Sequence, residues 1–327
     1  MKAARLHGFG DAESNLRVES IDLPAPGPGE IQLEMLRASI NPADLNVIAG
    51  TYGELPALPA TIGNEGVGRV IAIGDGVEDF HIGDMAVGLR PGAWCSHRNL
   101  STSDAVRLPV DIDPVQAAMI AVNPPTALAM LTTIVPLNEG DWVVQNAANS
   151  GVGRCVIQLA RHLGLRTLNV VRRPELVDEL LAIGADRVVT EDTDFRKTAE
   201  SLTDGRFAKL ALNAVGGASA LNLANALAPR GVHVTYGAMG LQPVKIPNGL
   251  LIFRQLQFRG FWLRRWFQEA SAAEKNSAFE QIAGRIADGT LRVPVHAVHP
   301  LQDVHEALRA AATDRRSGKV LLDLQAE

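Results

Sequence analysis

Cysteine is nearly missing from this chain: Cys95 and Cys155 are the only two in 327 residues. Two thiols so far apart in sequence make neither a disulfide framework nor a zinc cage, and a reducing, cytoplasmic setting is expected. Tyrosine is as scarce, with only Tyr52 and Tyr236 present. There is no excess of positive charge. The formal net charge of -5 argues against a polyanionic partner, and no nucleic-acid module or charged tail is present. The first residues, MKAARLHGFGDAESNL, have no apolar signal core and meet acidic residues too early for a transit peptide. The mature protein is expected to begin there. One uncharged run, residues 114–138, is long enough for a membrane span, but Gln116, Asn123 and the pair Pro124-Pro125 interrupt it. Two buried helical pieces meeting at a polar joint are predicted instead, with no membrane partner.

The remaining composition, 46% hydrophobic and 20% charged, is that of an ordinary soluble chain, and its length suits two lobes. Early segments such as EIQLEMLRASI and GVGRVIAIGDGV alternate or run β-branched between glycines, which predicts a β-rich lobe. From Asp141 the pattern changes to short apolar strands followed by helical stretches: DWVVQNA, GRCVIQLARHLG, RTLNVV, PELVDELLAIGA, RVVT, LALNAV, SALNLANALAPRG and VHVTYG. That alternation predicts an α/β fold with a doubly wound parallel sheet. A helix over Ala272–Ala287 and a last strand, KVLLDL, return to the first lobe. The expected division is 1–120 with 264–327, and 121–263.

In QNAANSGVGRCVIQLARHLG, Ser150-Gly151-Val152-Gly153 stands where a strand gives way to a helix. Glycines there permit a tight turn and let helix N-terminal amides approach a pyrophosphate, although the string departs from G-x-G-x-x-G and also suits a packing turn. About twenty residues on, where an NAD enzyme places an acid for the ribose hydroxyl, the chain reads Arg172-Arg173. Two guanidiniums fit a 2′-phosphate, so NADPH is the expected cofactor; solvated arginines at a helix start are the other reading. Tyr236, at the strand end of VTYGAMG, is read as a wall of the cofactor site.

A β-rich domain with an inserted nucleotide fold resembles the medium-chain dehydrogenase/reductase superfamily. In its zinc alcohol dehydrogenases a Cys and a Gly-His-Glu supply the metal. Here those places hold Asn41 or Pro42 and Gly63-Asn64-Glu65, and no four-cysteine lobe is present. A carboxamide does not replace thiolate or imidazole on zinc, so no metal is expected. His296, His299 and His305 lie in VPVHAVHPLQDVHEAL, which reads as a strand entering a helix rather than a ligand set.

Within that superfamily the sequence resembles the NADPH-dependent 2-enoyl thioester reductases of the mitochondrial type. The likeness runs through NPADLNVIAGTYG, LPATIGNEGVGRV, VNPPTALAML, QNAANSGVGRCVIQLA, RTLNVVRRPE, LNAVGG, VTYGAMGLQPV and RGFWL. It implies a GroES-like catalytic domain, a Rossmann domain, a homodimer, and reduction of the 2,3 double bond of enoyl-CoA or enoyl-carrier-protein substrates. The family's proton donor falls on Tyr52. Its cofactor contacts fall on Asn123, Asn149, Ser150, Gly151, Val152, on Arg172 and its neighbours, on Tyr236, Gly237, Ala238, Met239, on Phe261, Trp262, Leu263, and on Lys319. The family often reads Arg-Asp-Arg where this chain has Arg172-Arg173-Pro174, and GLRPGAWCSHRNL is shorter than the corresponding loop.

A phenol, with an ordinary pKa of about 10, stays protonated at neutral pH, donates a hydrogen bond and is acid enough to protonate a carbanionic carbon. Tyr52 between two glycines is read as that acid, against the alternative of a packed aromatic cap. Residues 260–267, GFWLRRWF, place Phe261, Trp262 and Leu263 near the nicotinamide and acyl region, with Arg264 and Arg265 either reaching phosphates or solvated over apolar surface. Quinone reduction, which needs no carbon acid, and a non-catalytic nucleotide-binding role are the competing functions.

Overall fold

The computed structural model describes residues 1–190, 195–313 and 316–326 and divides the chain into two units: Met1–Val122 with Ser271–Glu327, and Asn123–Ala270. The first boundary falls where the uncharged run breaks. A short helix, Pro114–Ala117, half of it buried, ends before it, and the largely buried helix Asn123–Thr133 begins after it. Among the described residues no helix is long and apolar enough to cross a membrane.

The first unit opens with eight strands: β1 Lys2–Leu6, β2 Leu16–Ser20, β3 Glu30–Ser39, β4 Ala60–Thr61, β5 Gly66–Ile73, β6 Met85–Gly88, β7 His97–Ser101 and β8 Ala105–Leu108. The alternation in EIQLEMLRAS is the alternation of β3, whose Ile31, Leu33 and Met35 are fully buried. β3 pairs antiparallel with β5 and β7, and β2-β1-β4 form a separate three-stranded sheet. Between β3 and β4 the chain makes the helix Pro42–Ile48, with Pro42 at its first position, where a missing N–H is harmless.

The second unit is a six-stranded parallel sheet. Its strands are β9 Trp142–Gln145, β10 Arg166–Val171, β11 Arg187–Thr190, β12 Ala208–Asn213, β13 Leu227–Thr235 and β14 Gln257–Gly260. Their order, β11-β10-β9-β12-β13-β14, steps outward in both directions from β9, the doubly wound arrangement. The order reverses between β9 and β12, so the carboxyl ends of those strands form the switch point at which ligands bind in such sheets. The helix read from SALNLANALAPRG is shorter than the pattern suggested. It covers Gly217–Asn225, and Leu227 already opens β13, paired with Ala208 and fully buried. Burial of that leucine against the sheet outweighs the helix propensity of the segment.

The chain returns to the first unit through the helix Ala272–Ala287, β15 Val295–Pro300, the helix Val304–Ala312 and β16 Lys319–Asp323. Ser271 and Glu274 close a capping box at the start of Ala272–Ala287. The helix Leu263–Glu269 stays with the second unit, so the second boundary lies after it, at Ala270, rather than between 263 and 264. β16 joins β3 antiparallel. That pairing brings Lys319 to the residues following β3, although 278 positions separate it from Asn41.

Candidate functional site

In the second unit the carboxyl ends of four parallel strands collect most of the sequence-predicted cofactor residues. Asn149, Ser150, Gly151, Val152 and Gly153 follow β9, Arg172 and Arg173 follow β10, Tyr236, Gly237, Ala238 and Met239 follow β13, and Phe261, Trp262 and Leu263 follow β14. Ser150 caps the helix Gly151–His162, its Oγ accepting the Gly153 N–H at 3.1 Å. Gly153 is needed for a close approach, because a side-chain carbon there would lie 2.5 Å from the Ala148 carbonyl oxygen. A buried amide, Asn123 Nδ2, has no partner and lies beside Gly151. An orphaned buried donor against a glycine turn and an open helix N-terminus fit a phosphate-bearing dinucleotide.

Two asparagines that the sequence reading did not single out hold this edge. Asn146 donates to Asn213 Oδ1 at 2.8 Å and to Ser219 Oγ at 3.1 Å, and its own Oδ1 accepts the Ala214 N–H at 2.7 Å. Asn213 Oδ1 also accepts the N–H groups of Val215 and Gly216. Polar residues ending the apolar strands WVVQ and LALN were the available signal. Arg154, buried in the first turn of Gly151–His162, opposes the helix dipole and is compensated by Glu179 at 2.6 Å.

Arg172 is exposed, whereas Arg173 is half-buried with Glu175 at 3.6 Å. The Tyr236 hydroxyl is turned inward: it is buried beside Ser150 without closing a hydrogen bond of good geometry, and burial pushes its pKa up. The backbone of Gly237 packs on Ala214, and the Met239 N–H reaches the Ala214 carbonyl at 2.8 Å. Phe261 is tied to Thr235 through its N–H at 3.0 Å. Trp262 is partly exposed, and Arg265 pairs with Glu269 at 2.7 Å on the helix surface.

In the first unit, Tyr52 lies half-buried in a bend after the helix Pro42–Ile48. Where zinc dehydrogenases hold metal there is a buried polar network. Glu65 accepts four hydrogen bonds: from Ser39 Oγ at 2.5 Å, Asn41 Nδ2 at 2.8 Å, and the N–H groups of Ala121 at 3.0 Å and Val122 at 2.8 Å. Lys319 Nζ donates to Asn41 Oδ1 at 2.5 Å. Asp44 Oδ1 accepts Asn64 N and Nδ2 at 2.8 and 2.6 Å, and Oδ2 accepts the Asn41 N–H at 2.7 Å. Burial raises the Asp44 carboxyl to about 6, against the pull of these donors and of Lys319. A zinc ion does not fit this donor set, which presents amides already engaged and an ammonium in place of thiolate and imidazole. Lys319, predicted as a cofactor contact, is thus a buried member of this network.

Residues 27–108 match the alcohol dehydrogenase GroES-like domain family and residues 151–278 the zinc-binding dehydrogenase family. The mitochondrial enoyl-[acyl-carrier-protein] reductase of Rattus norvegicus is 41% identical over 96% of this chain and 86% of its own. Among solved structures, the Etr1p/NADP/crotonyl-CoA complex superposes with a TM-score of 0.88, at 30% identity, covering 98% of this chain and 99% of that one, and the mitochondrial 2-enoyl thioester reductase Etr1p/Etr2p heterodimer from Candida tropicalis with a TM-score of 0.87 at the same identity and coverages. A Bacillus thuringiensis protein assigned as an NADPH:quinone reductase superposes at 0.92, with 31% identity and 98% of both chains covered.

The cytoplasmic setting expected from the sequence is overturned by the relatives, which are named mitochondrial in Rattus norvegicus, Homo sapiens and Arabidopsis thaliana. Two buried free cysteines do not tell one compartment from another. The chain belongs to the medium-chain dehydrogenase/reductase superfamily and, within it, to the family of the enoyl-[acyl-carrier-protein] reductases.

Proposed function

We propose that the chain reduces the 2,3 double bond of trans-2-enoyl thioesters, carried on CoA or on a carrier protein, with NADPH as reductant and Tyr52 as proton donor. The observation that carries the reading is the amide–carboxylate–ammonium network in place of a metal donor set, next in sequence to a turn that presents a phenol. With no metal to polarise an alcohol, the first unit offers a Brønsted acid instead. The unit Met1–Val122 with Ser271–Glu327 acts as the catalytic part and Asn123–Ala270 as the nucleotide-binding part.

When bound, NADPH would supply a hydride for Cβ. The displaced electron pair moves onto the thioester carbonyl oxygen as an enolate, and Cα then needs a proton. Tyr52 gives it: its O–H bond breaks, the Cα–H bond forms, and water returns a proton to the phenolate. In the second unit, the glycine turn and the amides of Gly151 and Val152 take the pyrophosphate, and Asn123 supplies its unpaired amide donor. Arg172 and Arg173 take the 2′-phosphate, and Tyr236 to Met239 with Phe261 to Leu263 border the nicotinamide. Lys319 holds the Asn41 side chain within the buried network.

A homodimer is supported by exposed apolar side chains around edge strand β14: Met239, Leu241, Ile252 and Phe253 are all more than half exposed. Quinone reduction is the second reading, favoured by the Bacillus thuringiensis structure. Following NADPH oxidation with crotonyl-CoA, a longer enoyl-CoA and a quinone separates them. Tyr52→Phe is expected to lower thioester turnover by about 10² to 10⁴ while leaving quinone turnover in place. Undiminished thioester turnover in that variant sinks the proton-donor assignment.

A further inference from the structure

The helix Pro42–Ile48 delivers the chain to Tyr52 and is only seven residues long. A helix so short has no cooperative stability of its own, so anchors at its two ends decide where the phenol stands. At the far end the chain is strapped down: the Gly50 N–H reaches the Val47 carbonyl at 3.1 Å, the Thr51 N–H reaches Asn46 at 2.9 Å, and the Gly10 N–H reaches Ile48 at 2.8 Å. Gly50 has φ of 75° and lies so close to Phe9 that a side-chain carbon would come within 2.9 Å of the Phe9 Cβ. Tyr52 follows directly on this turn.

At the near end stands Asp44, 1% exposed, with both oxygens engaged by three donors on Asn41 and Asn64. Capping a surface helix takes a single acceptor from a serine or asparagine and no buried charge. A buried carboxylate is disfavoured by desolvation, visible in its raised pKa, and charge-assisted bonds fix geometry more tightly than neutral ones. Asn41 is in turn gripped by Lys319 and Glu65. The helix start is therefore locked more firmly than helix formation alone requires.

We propose that Asp44 is a positioning residue which, through Asn41 and Asn64, fixes the phenol of Tyr52 for proton transfer, an inference that rests on the proton-donor reading above. Asp44 touches no reacting atom; its effect runs through the helix and the Thr51 turn.

The test is a double-mutant cycle on kcat with NADPH and crotonyl-CoA, using wild type, Asp44→Asn, Tyr52→Phe and the pair. NADPH binding and the thermal midpoint of each variant serve as checks on folding. In the wild-type background Asp44→Asn is expected to lower kcat by between about 10- and 100-fold, with KM for crotonyl-CoA changed far less. On top of Tyr52→Phe the same change is expected to add under about twofold. A full loss repeated in the Tyr52→Phe background, or no loss in either, overturns the positioning role. Should Tyr52→Phe itself leave turnover intact, the proton-donor reading falls and the positioning role with it. Should Asp44→Asn fail to fold, Asn64→Ala decides by the same square, since it removes one donor to Asp44 and leaves the backbone N–H in place.

Discussion

Replacing Gly153 by alanine tests the dinucleotide cradle where it has least slack. Gly153 adopts no left-handed backbone conformation, so the alanine meets a purely steric problem. Its Cβ would lie 2.5 Å from the Ala148 carbonyl oxygen and 2.7 Å from that of Ala147. Ordinary contact begins near 3.4 Å, so the helix must withdraw by about 0.9 Å (3.4 − 2.5). The obstacle is backbone that cannot rotate aside. Ala147 already holds φ of 47° in that turn, which leaves the loop little room to give. Overpacking of this kind costs about 1 to 3 kcal/mol. Because the amides of Gly151 and Val152 move with the helix, a loss of that size in the cradle weakens NADPH by between about 5- and 150-fold. The assay is an NADPH fluorescence titration paired with a melting curve. Gly284→Ala is the control, since a Cβ there, inside the helix Ala272–Ala287, would meet nothing within 4 Å. Wild-type affinity and wild-type melting in Gly153→Ala would refute the close-approach reasoning.

Arg172→Ala is expected to raise KM for NADPH by roughly 10- to 100-fold, from one lost charge-assisted bond of about 1.5 to 3 kcal/mol, and to leave KM for NADH unchanged; equal losses for both cofactors would remove the 2′-phosphate role. His233 is buried against Phe258, and burial depresses its pKa from 6.5 to about 4. A base whose folded pKa lies below its unfolded value stabilises the fold above pH 6.5 and loses that contribution as pH falls toward 4. Asp44 acts with the opposite sign, favouring the fold as pH falls from about 6 toward 3.8. Urea midpoints measured from pH 7 to 4.5 should therefore fall more steeply in Asp44→Asn than in wild type and less steeply in His233→Leu; parallel curves would contradict both assignments. Phe253, 84% exposed beside β14, is expected to hold a dimer together, so Phe253→Glu should sediment as a monomer where wild type does not.

Local signals made much of the second unit legible. The strand–glycine–helix string at Ser150 is what the structure shows there, because strand period and helix cap are encoded within a few residues. The helix Ala272–Ala287 matches the sequence reading end for end, helped by its Ser271–Glu274 capping box. The helix read through SALNLANALAPRG overran because Leu227 is claimed by the sheet, a tertiary demand that no local pattern carries. Asp44 was invisible for a related reason. In NPADLN it reads as an ordinary first-turn acid, and only the fold of β16 against β3 sets Lys319 beside it. The inward turn of the Tyr236 hydroxyl toward Ser150 is equally a matter of packing between the ends of β9 and β13.

On the proposed reading, the network takes the place that a metal holds in a zinc dehydrogenase. A zinc ion organises its surroundings by binding several chain segments at once. Glu65, Asp44 and Lys319 do the same here with hydrogen bonds, and every oxygen of the two carboxylates is engaged. Removing one member leaves buried polar groups unsatisfied, a change worth about 1 to 3 kcal/mol for each group, whereas exchanging the whole set at once need not destabilise. The residues are therefore coupled, as the ligands of a metal site are coupled. Glu65 extends that coupling to the backbone of Ala121 and Val122, the last two residues before the second unit begins at Asn123. The group that holds the start of the Tyr52 helix thus also holds the chain where it leaves for the nucleotide-binding part.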